Sequence, residues 1–232
     1  MKLTLRGLAA LLSYPSAEIG QHIAEIRSAF AEEGALSRAE RRRLEPLLDA
    51  LETGDELDLQ AGYSELFDRS RSLSLHLFEH VHGDSRERGQ AMIDLGQQYG
   101  AAGIFLDANE LPDFIPVFLE YVSCLDPAEA RETLAQPAHV FAALADRLDD
   151  KGATYAAIFH ALVALAARQP SAAEKAELAT EDAGEDDPDR IDAEWEEAPV
   201  SFEHAGAHAM GGPTGAVAKI RAANRPMKGD QP

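Results

Sequence analysis

"ELPDFIPVFLEYVSCLD", residues 110–126, decides the fold class. Leu111, Phe114, Ile115, Phe118, Val122 and Leu125 recur at helical spacing, so a helix here carries all of them on one face. Asp113 predicts an N-cap, which places Pro116 in the first turn, where its missing N–H costs little. A helix this apolar on one side must be covered by other helices, and the flanking sequence supplies them. Leu3, Leu5, Leu8, Leu11 and Leu12 predict a first helix that stops before Pro15. Ile19, Ile23, Ile26 and Phe30 predict a second, ended by Gly34. "SRAE", residues 37–40, reads as a capping box that opens a third, which Pro46 should kink or divide. Tyr63, Leu66 and Phe67 form the face of a fourth. Downstream, Val140, Phe141, Leu144 and Leu148 line one helix, and Tyr155, Ile158, Phe159, Leu162, Val163 and Ala166 line another, with Pro137 before the first and Pro170 after the second. The expected fold class is all-α.

One stretch breaks the helical period. "SLSLHL", residues 72–77, alternates with period two, yet no second strand is evident to pair with it. It reads as a buried extended segment or a short irregular helix. "LFEHVHGDSRERGQAM", residues 77–92, follows, and Asp84 with Glu87 resembles a capping pair that opens a helix running to about Tyr99, closed by Gly100 and Gly103.

Composition narrows the function. A chain of 232 residues that is 45% apolar can form one domain of ordinary size plus a tail. A formal net charge of −20 argues against nucleic-acid binding, which needs clustered Lys and Arg, and suits basic peptide partners. The lone Cys124 excludes an intrachain disulfide and a Cys-based metal knuckle, which fits a reducing, cytoplasmic setting; on an apolar mid-helix stripe it reads as inert packing. "MKLTLRGLAALLSYP" lacks the long apolar core and cleavage site of a signal peptide, and no run approaches the ~20 apolar residues of a membrane span. Residues 171–204 hold thirteen acidic and two basic side chains, a net of −11, and cannot bury enough apolar area to offset ordering entropy. The expected organisation is a helical domain over 1–170 and a mostly disordered tail over 171–232, acidic first and then rich in Gly, Ala and Pro. The island "DAEWEEAPVSF", residues 192–202, holds the only tryptophan, Trp195, and is either a docking segment or a chance aromatic.

The polar cluster at residues 76–88 admits several chemistries. A metal site would use His76, His80, His82 and Asp84, with Glu79 nearby. His76 and His80 share a side only in a helix, His80 and His82 only in an extended chain, so local spacing unites no three of them. A phosphate cradle would use Gly83, Arg86 and Arg88 at a helix start, but Asp84 and Glu87 would repel the anion. No P-loop, Gly-x-Gly-x-x-Gly or nucleophile elbow is present, and no cofactor is expected. The remaining reading is a groove that takes an amphipathic helix by its apolar face, with rim carboxylates meeting its basic residues.

"YSELFDRSRSLSLHLFEHVHGDSRERGQAM" followed by "ELPDFIPVFLEYVS" closely resembles the NarJ family of nitrate reductase assembly chaperones, within the TorD-like redox-enzyme chaperones. "LLSYPS" near the start and "WEEAPVSF" in the tail also look like that family. The resemblance covers about residues 3–170. It implies an all-helical domain without catalysis that binds the N-terminal segment of the molybdenum-containing catalytic subunit of respiratory nitrate reductase. It also implies that the apo-enzyme is held in the cytoplasm until the molybdenum cofactor is inserted, and docks on its membrane anchor afterwards. Molybdenum cofactor biosynthesis proteins are possible further partners; nucleic acid and direct membrane insertion are not expected. The TorD-like group often carries an acidic-Pro-x-Asp-His motif, whereas Glu110-Leu111-Pro112-Asp113-Phe114 has no His, so the nucleotide binding tied to that His is not implied here.

The expected peptide groove comprises Tyr63, Leu66, Phe67, Leu77, Phe78, His80, His82, Gly83, Asp84, Arg86, Arg88, Leu111, Pro112, Asp113, Phe114, Ile115 and Phe118. "HVHGDSRERG" would be its polar wall and "ELPDF" with its helix the facing wall. The competing readings are a chaperone for another molybdoenzyme and a His-based metal-dependent enzyme.

Overall fold

In a computed structural model of the chain, residues 1–69, 71–81, 87–106 and 110–171 are described. The helices, in order, are α1 (Lys2–Leu12), α2 (Ala17–Gln21), α3 (Ile23–Glu33), α4 (Arg38–Thr53), α5 (Glu56–Phe67), α6 (Leu77–Val81), α7 (Glu87–Ala101), α8 (Ile115–Ser123), α9 (Pro127–Ala135), α10 (Ala138–Asp150) and α11 (Ala156–Leu165). A short 3-10 turn, Arg71–Leu73, precedes α6. The fold is all-α; among the described residues the only extended pairing is one isolated antiparallel bridge, His76 to Phe114. No described helix is long and apolar enough to cross a membrane. The expected tail, with Trp195, lies outside the described residues.

Helix α8 lies in the core, every residue of it but Glu120 buried. α8 packs along α1, α1 also packs on α3, and α11 lies on α10 and reaches α4 and α9. Leu5, Leu8 and Leu12 of α1 meet Ile115, Leu119 and Val122 of α8 in a core that also holds Phe141, Leu144, Phe159 and Leu162. Gly7 permits the close approach of α3, since a Cβ there would stand 2.7 Å from the Phe30 ring.

Several boundaries differ from the sequence expectation. The second helix is two, broken at His22, because α2 turns to lie against α4; Gly20 makes this possible, as a Cβ there would stand 2.9 Å from the Leu51 carbonyl oxygen. Pro46 does not divide α4, which runs unbroken through it. It sits on the exposed face, where the carbonyl deprived of its partner reaches water. The capping box at Ser37 and Glu40 is present, and Gly34 ends α3 in the left-handed conformation at φ 62°. Helix α9 had not been anticipated. Cys124 is the exposed C-cap of α8, not part of an inert stripe.

The first turn of α1 has no side-chain cap from its own N-cap residue. Glu33, at the end of α3, does that work across 29 residues of sequence: its carboxylate accepts from Thr4 N at 2.7 Å and Thr4 Oγ1 at 2.6 Å. It also accepts from Leu3 N at 3.1 Å and pairs with the terminal ammonium at 2.6 Å. Burial pushes the Glu33 carboxyl up, but these donors outweigh it and hold it at about 2, below the ordinary 4.5. A depressed carboxyl stabilises the fold above its unfolded value, and that contribution is lost as pH falls from about 4.5 toward 2. Glu33→Gln is expected to lower stability by about 1–3 kcal/mol at neutral pH. Urea midpoints for wild type and variant should converge as the pH is lowered through that window.

Candidate functional site

The two motifs of the sequence meet at one buried carboxylate. Leu77 N donates to the Asp113 carbonyl at 2.9 Å and Ile115 N donates to the Leu75 carbonyl at 2.8 Å, so the alternating segment finds its partner in the residues just before α8. Asp113 has no exposed surface. Its Oδ2 accepts from Phe78 N at 3.2 Å, and its Oδ1 accepts from His76 Nδ1 at 3.1 Å. The carboxylate can only accept, so His76 carries its proton on Nδ1. Arg88 on α7 stands 4.0 Å from Oδ2 and donates to Glu79 Oε1 at 3.2 Å. Asp113 is therefore a cap, but of α6 and not of its own helix; the N-cap of α8 is Phe114.

The surrounding groups fix the same frame. His80 Nε2 donates to the Ser74 carbonyl at 2.8 Å, and Arg147 of α10 donates to the Ser72 carbonyl at 2.6 Å. Tyr99 of α7 donates to the Pro112 carbonyl at 2.7 Å and stacks against Tyr121 of α8. Burial pushes the His80 imidazole below its ordinary 6.5, with the Arg147 cation acting the same way and the Ser74 carbonyl opposing.

Beside this frame lies a groove of about 580 Å³ between α6, α7, α8, α9 and the start of α10. Its apolar surface comes from Leu77, Phe78, Val81, Leu95 and Phe118, and Asp94 and Glu129 lie among its polar lining. Val81 is 47% exposed. Such a concave apolar strip with carboxylates at its edge can hold the apolar face of a helix or extended peptide that carries basic residues.

Residues 33–161 match the family model described as the nitrate reductase delta subunit. The chain belongs to that family. It is 44% identical over 195 residues to the nitrate reductase molybdenum cofactor assembly chaperone NarJ of Escherichia coli, covering 84% of this chain and 83% of that one. It is also 32% identical over 152 residues to the nitrate reductase-like protein NarX of Mycobacterium tuberculosis, of which the match spans 22%. A crystal structure described as a redox enzyme maturation protein from Archaeoglobus fulgidus superposes with a TM-score of 0.51 at 21% identity, over 70% of this chain and 91% of that one, and shares the fold. NarJ of Escherichia coli, matched over most of its length, is named as an assembly chaperone and not as an enzyme. Among the described residues no group of three or more His, Cys, Asp or Glu is placed to hold a metal ion.

Of the residues expected to form the groove, Leu77, Phe78 and Phe118 line it. Arg88, Asp113, His80 and Pro112 belong to the frame behind it, and Ile115 is wholly buried in the core. Phe114 is half-buried against His76, and Leu111 is exposed outside the lining. Tyr63 and Phe67 lie elsewhere, in an aromatic cluster with Tyr14 and Tyr155, and Leu66 is half-buried on the same helix. His82, Gly83, Asp84 and Arg86 lie outside the described residues. The α7 and α9 contributions to the groove were missed, Asp94, Leu95, Glu129 and Thr133 among them. The signal was present: Ala91, Asp94, Leu95 and Gln98 share one helical face, and "DPAE" at residues 126–129 is a helix start.

Removing the Asp113 carboxylate strands the Phe78 N–H and the His76 ring. Asp113→Ala is expected to cost about 2–4 kcal/mol, and Asp113→Asn less, as measured by urea unfolding. A depressed imidazole works in the same direction as a depressed carboxyl: its contribution is whole above 6.5 and is lost as pH falls below that value. Wild type should therefore lose stability between pH 7.5 and ~5.5, and His80→Gln should flatten that part of the profile.

Proposed function

We propose that this chain is a cytoplasmic chaperone of nitrate reductase assembly. It binds the N-terminal segment of the molybdenum-containing catalytic subunit and keeps the apo-enzyme open to cofactor insertion, before that enzyme docks at the membrane. The observation that carries the reading is the acidic-edged apolar groove of α6–α9 on a chain 44% identical to a nitrate reductase molybdenum cofactor assembly chaperone. The groove takes the client segment as an amphipathic, basic peptide. Burial of its apolar face against Leu77, Phe78, Leu95 and Phe118 supplies most of the affinity, at about 25 cal/mol per Å² before ordering costs. Asp94 and Glu129 supply orientation and faster association, a contribution that salt weakens. Molybdenum cofactor biosynthesis proteins are further partners in the same step.

Calorimetric titration of the client's N-terminal peptide into the protein tests this reading. Val81→Glu and Leu95→Glu change groove residues that are not part of the closed core, so they should leave the circular dichroism intact and weaken binding by about tenfold or more. Asp94→Asn should flatten the salt dependence with a smaller loss of affinity. Full-strength binding by a folded Val81→Glu/Leu95→Glu variant would place the peptide elsewhere.

A further inference from the structure

A second cleft, of about 510 Å³, lies between α3 and the first half of α4, and shares no residue with the groove. Its lining includes Arg27, Arg38, Arg41, Arg42 and Glu45 over the apolar side chains of Phe30 and Leu48. In a chain with a formal net charge of −20, this is a local concentration of positive charge. The arginines are not equivalent. Arg27 is fully engaged: it bonds Glu45, reaches Asp49 at 2.7 Å and Glu52 at 3.1 Å. Arg38, Arg41 and Arg42 make no ion pair with the described residues, and Arg41 Nε is buried without any hydrogen-bond partner. A buried donor left unpaired is costly, and an acceptor brought into the cleft would recover that cost.

We propose that this cleft binds a small molecule through a phosphate or pyrophosphate group. Arg38, Arg41 and Arg42 recur at three- and four-residue spacing, so their guanidinium groups leave α4 on one side, next to the positive end of its macrodipole. Guanidinium forks match phosphate oxygens in pairs, and several converging on one point suit a compact multiply charged anion. The other end of the cleft decides between a small anion and an acidic protein segment. Glu45, Asp49 and Glu52 continue along α4, and Arg27 is already spent on them. An extended acidic peptide lying along the helix would meet Asp49 and Glu52 as well, whereas a compact phosphate in the cleft meets only Glu45, whose charge Arg27 already pairs. Phe30 and Leu48, 2% and 1% exposed, form the closed floor of the cleft, so recognition rests on the guanidinium groups above them.

Titration calorimetry of the full chain with inorganic pyrophosphate, and separately with a nucleoside diphosphate, tests the site. Saturable one-to-one binding is expected for both probes. Arg38 and Arg42 are exposed, so Arg42→Gln should leave the fold unchanged by circular dichroism and weaken binding by about tenfold, and Arg38→Gln/Arg42→Gln should abolish it. Tighter binding of the nucleoside diphosphate would show that groups beyond the phosphates add affinity, and equal binding would assign the affinity to the phosphates alone; either supports the site. Absence of saturable binding for both probes, or equal binding by the folded double variant, would overturn it. Displacement of pyrophosphate by poly-glutamate at matched charge would also overturn it, because it would show a surface for acidic chains.

Discussion

The site depends on the burial of the Asp113 carboxylate. A carboxylate without exposed surface is tolerated only if protein donors replace its water, and here they come from Phe78 N and His76 Nδ1, with the Arg88 cation close by. These partners lie on two different segments, so satisfying one charge ties α6 and α7 to the start of α8. The same residue caps α6, only five residues long: its carbonyl accepts from Leu77 N and its carboxylate from Phe78 N. The position of Leu77 and Phe78 follows, and with it one wall of the groove.

Glu33 repeats the device at the other end of the molecule, capping α1 from the end of α3. In both cases an acidic side chain distant in sequence accepts the free N–H groups of a helix start. Short helices are thereby held in place by the tertiary structure, which leaves their outward faces free to be shaped for a partner. α6 presents Val81 outward in this way, beside Leu95 of α7 and Phe118 of α8. The peptide-binding role proposed for the groove needs such exposed apolar surface, and a rigid polar frame behind it keeps that surface from collapsing into the core.

Much of the fold was legible because most helices obey local rules. The face of α8, the capping box of α4 and the glycine end of α3 all rest on contacts within a few residues, which periodicity and capping chemistry express directly. What was misread rests on contacts distant in sequence. Asp113 looked like an N-cap because an acidic residue before a proline-containing helix start usually is one; its true partners are 35 and 37 residues away. "SLSLHL" showed its extended character in its alternation, but its partner was a single residue, Phe114, too short to register as a strand. Of the groove lining, Leu77, Phe78 and Phe118 coincide with the residues expected for a peptide site, while the α7, α9 and α10 residues do not, because no single sequence element announces a surface built from five helices.

Hydrogen–deuterium exchange of the full chain, with and without the client's N-terminal peptide, tests the central claim most directly. If the groove framed by Asp113 is the binding surface, the peptide should slow exchange in α6, in α7 around residues 91–98, and in α9 through residue 139, leaving α5 unchanged. Protection confined to α5 and the aromatic cluster around Tyr63 and Phe67, with α6, α7 and α9 exchanging as before, would contradict the account.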